Sequence, residues 1–159
     1  MTELAELIRY EMESTKSALV VNYDRLGLRA AGKYAKSLEV RVSESGTKIH
    51  AEILGAKHAI YMEHGRGPNK RQDRGMIAFI YIKILEWMDV KGLTGLNPWL
   101  VARKIVREGI HVPNQFNPGG VISDVINESM LDSLHQKIAE LHAIQVHEQI
   151  KSDLLTIAR

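Results

Sequence analysis

Apolar residues in the first part of the chain recur every three or four positions, as they do on one side of an α-helix. These positions are Leu4, Leu7, Ile8, Met12 and Leu19, with Thr15 in phase. Thr2, just before them, is a residue type that caps helix N-termini well. No proline interrupts the stretch, and Gly27 and Gly32 are its first stop signals. The pattern therefore predicts an amphipathic helix that runs to about Arg29 or Ala30.

The period then changes to two, which is typical of half-buried strands. The alternating apolar positions are Leu38, Val40 and Val42 in a first run and Ile49, Ala51 and Ile53 in a second. Turn-forming residues at 43–46 separate the runs and predict a β-hairpin with one apolar face. An isolated hairpin is marginal in water, so we expect the first helix to cover it. Further strands could come from residues 59–63, residues 110–112 or a neighbouring subunit.

Beyond residue 76 the pattern is mostly helical. One stripe contains Ile77, Ile80, Ile84, Trp87 and Met88, and three further apolar residues, Phe79, Ile82 and Leu85, widen it. This width indicates a helix that is buried on more than one side. Asn97 followed by Pro98 is an N-cap and first-turn signature, and it predicts a second helix that closes at Arg107 and Gly109.

The last part of the chain is less uniform. Residues 112–120 are rich in proline, glycine and asparagine and predict a loop, whereas 121–126 fit either a strand or a helix. From Glu128 a helical stripe is clear, formed by Leu131, Leu134, Ile138 and Leu141. Val146, Ile150 and Leu154 extend it only with a shift of phase near His142.

These elements predict one α+β domain over residues 1–159, a length that suits a single core. A long N-terminal helix packs on a small antiparallel sheet and forms a module over 1–68. A helical lobe is inserted at 76–109, and a strand or helix segment follows at 121–159.

The amino-acid composition excludes several classes of function. The chain has no cysteine, which excludes thiol catalysis, zinc–thiolate sites and iron–sulfur clusters. No apolar run approaches the roughly 18 residues that a membrane span needs, so we expect no membrane partner and synthesis in the cytoplasm.

The small net charge of +2 hides an uneven distribution. Residues 66–109 carry nine bases and four acids, whereas residues 110–159 carry three bases and six acids. Four bases, Arg66, Lys70, Arg71 and Arg74, lie in a stretch rich in glycine and asparagine that predicts an exposed loop. This basic loop could be solvated, or it could contact a polyanion or the acidic face of a partner.

No catalytic motif is complete. His147 and Glu148 begin like a zinc-protease helix, but Lys151 stands where the second histidine is needed. The glycines near residue 65 lack the ending of a phosphate-binding loop. Glu63 and His64 are adjacent, and on a strand they would point to opposite faces. We therefore predict no enzyme, cofactor or metal site.

Two short segments resemble the opening of a known family. Residues 31–38 read Ala-Gly-Lys-Tyr-Ala-Lys-Ser-Leu, and residues 59–68 read Ala-Ile-Tyr-Met-Glu-His-Gly-Arg-Gly-Pro. In this order, after a helix and around a hairpin, they resemble the tail-completion or head–tail joining proteins of tailed bacteriophages. The resemblance covers about residues 3–68. The matching positions are Gly32, Ser37, Leu38, Ala59, Tyr61, Glu63 and Gly65.

The resemblance implies a structural virion protein at the head–tail junction. Such subunits form a homo-oligomeric ring, of six where the ring ends a tail tube and of twelve on the portal, and contact portal, adaptor or tail proteins. DNA passes through the lumen, so the basic loop would face either that DNA or an acidic surface on an adjacent ring. The acidic C-terminal part could meet the basic middle of the next subunit or cover its own domain.

The resemblance also gives roles to individual residues. Gly32 would permit the tight entry into the hairpin, and Tyr61 would pack against the first helix. Glu63 with Gly65 would fix the turn into the basic loop. The alternative function is a small basic nucleic-acid-binding or regulatory protein, which would be a monomer or dimer with steeply salt-dependent affinity for DNA.

Overall fold

A computed structural model describes residues 2–157 and has an α+β fold. The ends of the predicted domain, Met1, Ala158 and Arg159, lie outside the described residues. The elements in chain order are α1 (Glu3–Arg25), α2 (Lys33–Ser37), β1 (Glu39–Ser45), β2 (Lys48–Leu54), α3 (Ala59–His64), α4 (Arg74–Lys91), α5 (Pro98–Glu108) and α6 (Glu128–Ile157).

Helix α1 begins as predicted and ends early. The Thr2 hydroxyl accepts a hydrogen bond from the backbone N–H of Ala5 at 3.3 Å. The helix ends at Arg25 and not near Arg29, because Gly27 takes a left-handed conformation with φ of 68°. The prediction of a longer helix was therefore wrong, and the first stop signal ends it.

The predicted hairpin is present, and α1 packs on both of its strands. Val40 pairs with Ile53 and Val42 with Ala51, so the apolar side chains share one face. Glu44, near the tip, reaches the start of α1 and accepts a hydrogen bond from the backbone N–H of Thr2 at 3.1 Å. A hydrogen bond from the Thr2 hydroxyl, and then the one from its backbone N–H, lower the pKa of Glu44.

Within residues 2–157 the sheet contains only these two strands. The suggested strand at 59–63 is wrong, because those residues lie in α3. Ala59 and Met62 both pack against the core, and a separation of three residues places them on one side of a helix. Ile110 forms a single antiparallel bridge with Arg66 and does not join the hairpin.

The core is divided into two small clusters. The first is formed by Tyr23, Tyr34 and Val121, with the two tyrosine rings 5.0 Å apart. Val121 is fully buried although residues 121–127 form turns and bends, so the stretch that fitted strand or helix is neither. This cluster holds α1, α2 and the loop before α6 together.

The second cluster lies in the predicted lobe, where α4 packs against α5 through Ile77, Ala102 and Val106. The lobe meets the rest of the chain at few points. Within the described residues these include a hydrogen bond from the backbone N–H of Asn69 to the carbonyl of Val106 at 2.9 Å, a hydrogen bond from Lys91 to the carbonyl of Gly27, and the Trp87–Phe116 ring pair at 5.2 Å.

Helix α6 runs without interruption through His142 and lies antiparallel to α1. The Lys137 ammonium is 2.8 Å from a carboxylate oxygen of Glu11, and the Gln145 amide is 3.0 Å from Glu3. None of the residues of α6 is fully buried.

Candidate functional site

The matched segment 59–68 continues directly into the basic loop. At the same place the chain passes into the α4–α5 lobe and comes back out of it after α5. At this junction the backbone N–H and carbonyl groups of Arg66 and Ile110 exchange two hydrogen bonds of 2.8 Å each. Gly65 and Gly109 precede these residues, with φ of 77° and 85°. A Cβ atom on Gly65 would lie 2.1 Å from the carbonyl oxygen of Ile110, and one on Gly109 would lie 2.1 Å from that of Arg66. Only glycine fits either position.

Glu63 connects α3 to the loop before α6. Its carboxylate accepts hydrogen bonds from the backbone N–H of Ile122 at 2.8 Å and of Ser123 at 3.3 Å, and from the Ser123 hydroxyl. Partial burial raises the pKa of Glu63, but these hydrogen bonds outweigh it and leave the pKa below its ordinary value. The ionised carboxylate of Glu63 therefore stabilises the loop before α6 through these hydrogen bonds.

Two amide side chains hold the same loop from other directions. The amide of Asn22, which is 6% exposed, donates to the carbonyls of Gly120 at 2.8 Å and Val121 at 3.2 Å. The amide of Asn117 donates to the carbonyl of Met62 at 2.8 Å. Sequence reasoning missed both residues, because an asparagine inside a helix or loop has no motif that reveals a distant partner.

A second contact lies beside Asn22. Its side-chain oxygen accepts two hydrogen bonds from Arg25, at 3.1 and 2.7 Å, and Arg25 is also 3.0 Å from the carboxylate of Asp124. The loop before α6 is thus fixed to both α1 and α3.

The tyrosine of the matched segment, Tyr61, lies at the surface of α3. Tyr61 is 52% exposed and does not belong to the core cluster, whereas Ala59 and Met62 of the same helix do. Because residues of a helix are separated by about 100° around its axis, Tyr61 points away from the side that these two occupy. Tyr61 is therefore not a core residue, and its packing against the first helix stays a prediction.

The other matched positions lie at the base of the hairpin. Gly32, with φ of 70°, precedes α2, so this short helix separates it from the hairpin. The Ser37 hydroxyl donates to the carbonyl of Tyr34 at 2.7 Å and accepts from the backbone N–H of Ala56 at 2.8 Å. Leu38 packs against the first core cluster. Ser37 therefore ties the two ends of the hairpin together.

The basic loop is ordered by its own side chains. Arg66 donates to the Asn69 side chain at 2.8 Å, and the backbone N–H of Asn69 bonds to the carbonyl of Val106 in α5 at 2.9 Å. Arg71 pairs with Asp73, whose carboxylate also accepts from the backbone N–H of Met76 at 2.9 Å and caps α4. The arginine hydrogen bond and then the cap lower the pKa of Asp73.

The four bases of the loop therefore differ in availability. Arg66 and Arg71 have partners close by, whereas Lys70 and Arg74 are exposed and lie within 4.0 Å of no carboxylate of residues 2–157. Arg74 starts α4, where a positive charge opposes the helix dipole. A partner would meet mainly Lys70 and Arg74.

Helix α5 provides three further exposed bases next to the basic loop. From the sequence they were counted only as part of the basic middle of the chain. Arg103, Lys104 and Arg107 are all exposed, and the loop is attached to α5 through Asn69. Arg103 and Lys104 precede Arg107 by four and three residues, which places each of them beside Arg107 on the helix surface and could have indicated a common basic surface.

Metal-ligand groups and surface grooves are the other features of the described residues that bear on a site. Residues 2–157 contain no group of three or more acidic or histidine side chains that could hold a metal ion. An open groove of about 500 Å³ lies between α1 and α6, lined by residues such as Tyr10 and Leu141. No helix among the same residues has the length and apolar character needed to cross a bilayer.

When the chain is compared with protein-family models, curated proteins and solved structures, none of them matches it. The resemblance to tail-completion proteins therefore depends on the two short segments, residues 31–38 and 59–68, and on the positions of their residues in the fold.

Proposed function

We propose that this protein is a structural subunit of a homo-oligomeric ring at the head–tail junction of a tailed bacteriophage. One observation carries the oligomeric part of the proposal. The accessible surface is 11102 Å². A compact monomer of this mass exposes roughly 8,000 Å². About 3,000 Å² of surface is thus left over, which is more than a standard protein interface of roughly 1,600 Å² requires.

The composition of that surface supports the same proposal. Among the described residues, eight apolar side chains are buried, whereas eighteen large apolar side chains are exposed. Monomeric soluble proteins rarely leave large apolar patches in water. A subunit that buries part of this surface against its neighbours explains the small, divided core.

The hairpin offers a further surface for assembly. Over residues 2–157 neither β1 nor β2 has a second neighbouring strand, so both edges of the sheet present free backbone groups. Such edges invite pairing with another chain. The sequence offered three sources of further strands: residues 59–63, residues 110–112 and a neighbouring subunit. The first two do not pair with the hairpin, which leaves a neighbouring subunit.

The assignment to the head–tail junction depends on the resemblance of the matched segments. Several of those positions have structural reasons for their residue types, since Gly65 allows the close crossing at the junction, Glu63 holds the loop before α6, and Ser37 closes the hairpin. In a ring through which DNA passes, Lys70 and Arg74 could contact phosphates, or they could contact an acidic surface of an adjacent ring.

Two measurements test this function. Native mass spectrometry of the purified chain should show a closed assembly of six or twelve copies. A density map of the phage particle that contains the chain should place that ring between the portal and the tail. A particle that has the chain elsewhere contradicts the proposed location.

The DNA contact and the alternative function are tested together. Lys70→Glu combined with Arg74→Glu should weaken DNA binding by the assembled ring, whereas Lys48→Glu, at the hairpin, should leave it unchanged. A monomer or dimer that binds DNA tightly, with an affinity that falls steeply with salt, would instead support a nucleic-acid-binding protein.

A further inference from the structure

The outer edge of β2 carries a row of backbone groups that the hairpin does not use. The register places Ser45 opposite Lys48 across a two-residue turn, so every second residue of β2, beginning with Lys48, bonds to β1. The residues between them have N–H and carbonyl groups that point away from β1, and these residues are Ile49, Ala51 and Ile53. Within residues 2–157 no third strand lies along this edge.

The outer edge of β1 differs, because α1 reaches it. The half-buried guanidinium of Arg9 donates to the carbonyl of Val42 at 3.3 Å. Near the tip, the Glu44 carboxylate accepts from the backbone N–H of Thr2 at the start of α1. Helix α1 also lies more over β1 than over β2. A strand that approached β1 would have to displace Arg9, so the edge of β2 is the more open of the two.

The sequence of β2 lacks several features that keep an edge strand from pairing. Its seven residues, Lys48–Leu54, include no proline, and the ladder with β1 continues through all of them without a bulge. Its inward positions are apolar, so no charge points inward, and its one lysine lies at the end beside the turn. Proteins that protect an edge commonly use a proline, a bulge or an inward charge.

One antiparallel register makes β2 complementary to a second copy of itself. When Ala51 lies opposite Ala51 of the second copy, Ile49 lies opposite Ile53 and Ile53 opposite Ile49. Each of these pairs exchanges two backbone hydrogen bonds, so every outward group of both edges finds a partner. A shift of two residues in either direction leaves Ile53 opposite Thr47 or Ile49 opposite Gly55, and both of these lie outside the strand.

The side chains favour the same register. On the outer face His50 lies opposite Glu52 of the other copy, twice by symmetry, in the pairs whose side chains are closest. A ring N–H of His50 can then donate to the carboxylate. Both side chains are available, since they are 75% and 40% exposed. The shifted registers would instead bring two Glu52 or two His50 side chains together. This match selects a second copy as the partner of the edge.

We propose that two copies pair edge to edge through β2, antiparallel and centred on Ala51, to form one four-stranded sheet. The two-fold axis is perpendicular to the sheet, so both α1 helices lie on the same face, each mainly over its own β1. The β2 strands are thus free to meet in the middle, and a four-stranded sheet is more stable than two separate hairpins. The contact closes after two copies and stands apart from the proposed ring, which needs at least one further contact.

Charge on the outer face tests the pairing. His50→Glu places a carboxylate opposite each Glu52, so the dissociation constant of the pair should rise about tenfold in sedimentation equilibrium. His50→Glu combined with Glu52→His exchanges the two residues and should restore pairing. Ser43→Glu is the matched control, since it adds the same charge on the same face but on β1, one strand further from the partner, and should leave pairing unchanged.

Two results of this experiment overturn the proposal. One is a His50→Glu chain that pairs like the wild type. The other is a wild type that sediments as the 17.9 kDa chain at every concentration. Unchanged circular dichroism of the variants shows that their fold is kept.

Disulfide crosslinking identifies the edge and the register, and the chain has no cysteine of its own. Copies with His50→Cys mixed with copies with Glu52→Cys should form a linked species of twice the chain mass on oxidation, because such opposite residues lie about 4.5 Å apart at Cα. A mixture of Arg41→Cys and Glu52→Cys is the control and should not link.

The other crosslinking outcomes count against the proposal. No linked species from the His50→Cys and Glu52→Cys mixture overturns it. A linked species from the Arg41→Cys and Glu52→Cys mixture would show β2 paired with β1 of the neighbour and would overturn it. Stronger linking of His50→Cys alone than of the mixture would show a shifted register, with the same consequence.

This proposal and the proposed function fail separately. A chain that pairs through β2 but does not lie at the head–tail junction keeps the pairing and loses the phage function. A ring at that junction whose His50→Cys and Glu52→Cys copies do not link keeps the function and loses the pairing.

Discussion

At the scale of single residues, polar side chains position the loop that completes the first core cluster. Glu63 and Asn22 each hold backbone groups of residues 120–123 from a different element. Between these contacts Val121 is fully buried against Tyr23 and Tyr34. The loop has no helix or strand of its own, so these hydrogen bonds replace regular structure in fixing it.

Glu63→Gln tests that role through its dependence on pH. At pH 7 the variant should unfold with a free energy lower by about 1–2 kcal/mol, because an amide nitrogen cannot accept the hydrogen bonds that a carboxylate oxygen accepts. The pKa of Glu63 is lowered in the folded protein, so its stabilisation is present above the ordinary glutamate pKa and is lost as the pH falls through the folded value.

Urea unfolding of both proteins at several pH values makes the measurement. The difference between wild type and variant should narrow below about pH 4, the region of an ordinary glutamate pKa. Ser123→Ala, which removes one donor to the same carboxylate, should give a smaller difference with the same dependence on pH. A difference that stays constant down to pH 3 contradicts this account.

Gly65→Ala tests the crossing of the chain at the junction. The substitution forces a side chain into positive φ and against the carbonyl of Ile110, so we expect a loss of at least about 2–3 kcal/mol in the free energy of unfolding. Gly92→Ala is the control, because Gly92 also has positive φ, 62°, but has no atom within 4 Å of the added Cβ. It should cost only about 1 kcal/mol. If thermal or urea unfolding shows that Gly65→Ala and Gly92→Ala lose equal amounts of unfolding free energy, the close approach of Gly65 to Ile110 is contradicted.

At the scale of elements, α4 and α6 each present one apolar side to their own chain and another to the exterior. In α6, Leu141 lies beside α1, whereas the exposed Ile150 lies roughly 180° around the helix from it. This change of side coincides with the end of the contact of α6 with α1, at Gln145. The two halves of this helix should therefore contribute differently to folding and to assembly.

Removal of residues 147–157 separates those contributions. The truncated chain should keep its free energy of unfolding as a monomer within about 0.5 kcal/mol, because surface groups away from the core contribute little. Assembly into the proposed ring should weaken, because the exposed Ile150, Leu154 and Ile157 are removed, whereas pairing through β2 should remain. Leu134→Ala, in the half beside α1, is the contrasting variant and should lower stability without abolishing assembly. Urea unfolding and sedimentation measure the two effects, and a truncation that unfolds the monomer would contradict the division.

At the scale of the whole molecule, two small clusters are joined by few contacts, and much apolar surface remains exposed. Within residues 2–157 the outer edge of β2 has no neighbouring strand. These features fit a chain whose stable unit is an assembly of copies.

Salt should weaken that assembly only moderately. Raising the concentration from 50 to 500 mM should raise the dissociation constant between copies by about tenfold or less, because screening reduces the attraction between exposed charges while backbone hydrogen bonds and the burial of apolar side chains remain favourable. Sedimentation equilibrium at both salt concentrations measures the change. A loss of many powers of ten would indicate a contact made by charge alone.

Local patterns by themselves determined much of this protein. The hairpin, the caps at Thr2 and Asn97, and the α+β class follow from sequence, because periodicity and capping depend on neighbouring residues. The ring at the head–tail junction and the contacts of the basic loop with its partner stay predictions.

Only the tertiary structure decided which distant groups meet. Residues 59–63 are helical, and this conformation lets Ala59 and Met62 both pack against the core. Folding also brings Glu63 to the backbone of Ile122 and Asn22 to that of Val121. The structure also showed that the shift of phase in α6 is a change of side on one continuous helix. Contacts between residues far apart in sequence leave no periodic signal, so folding alone reveals them.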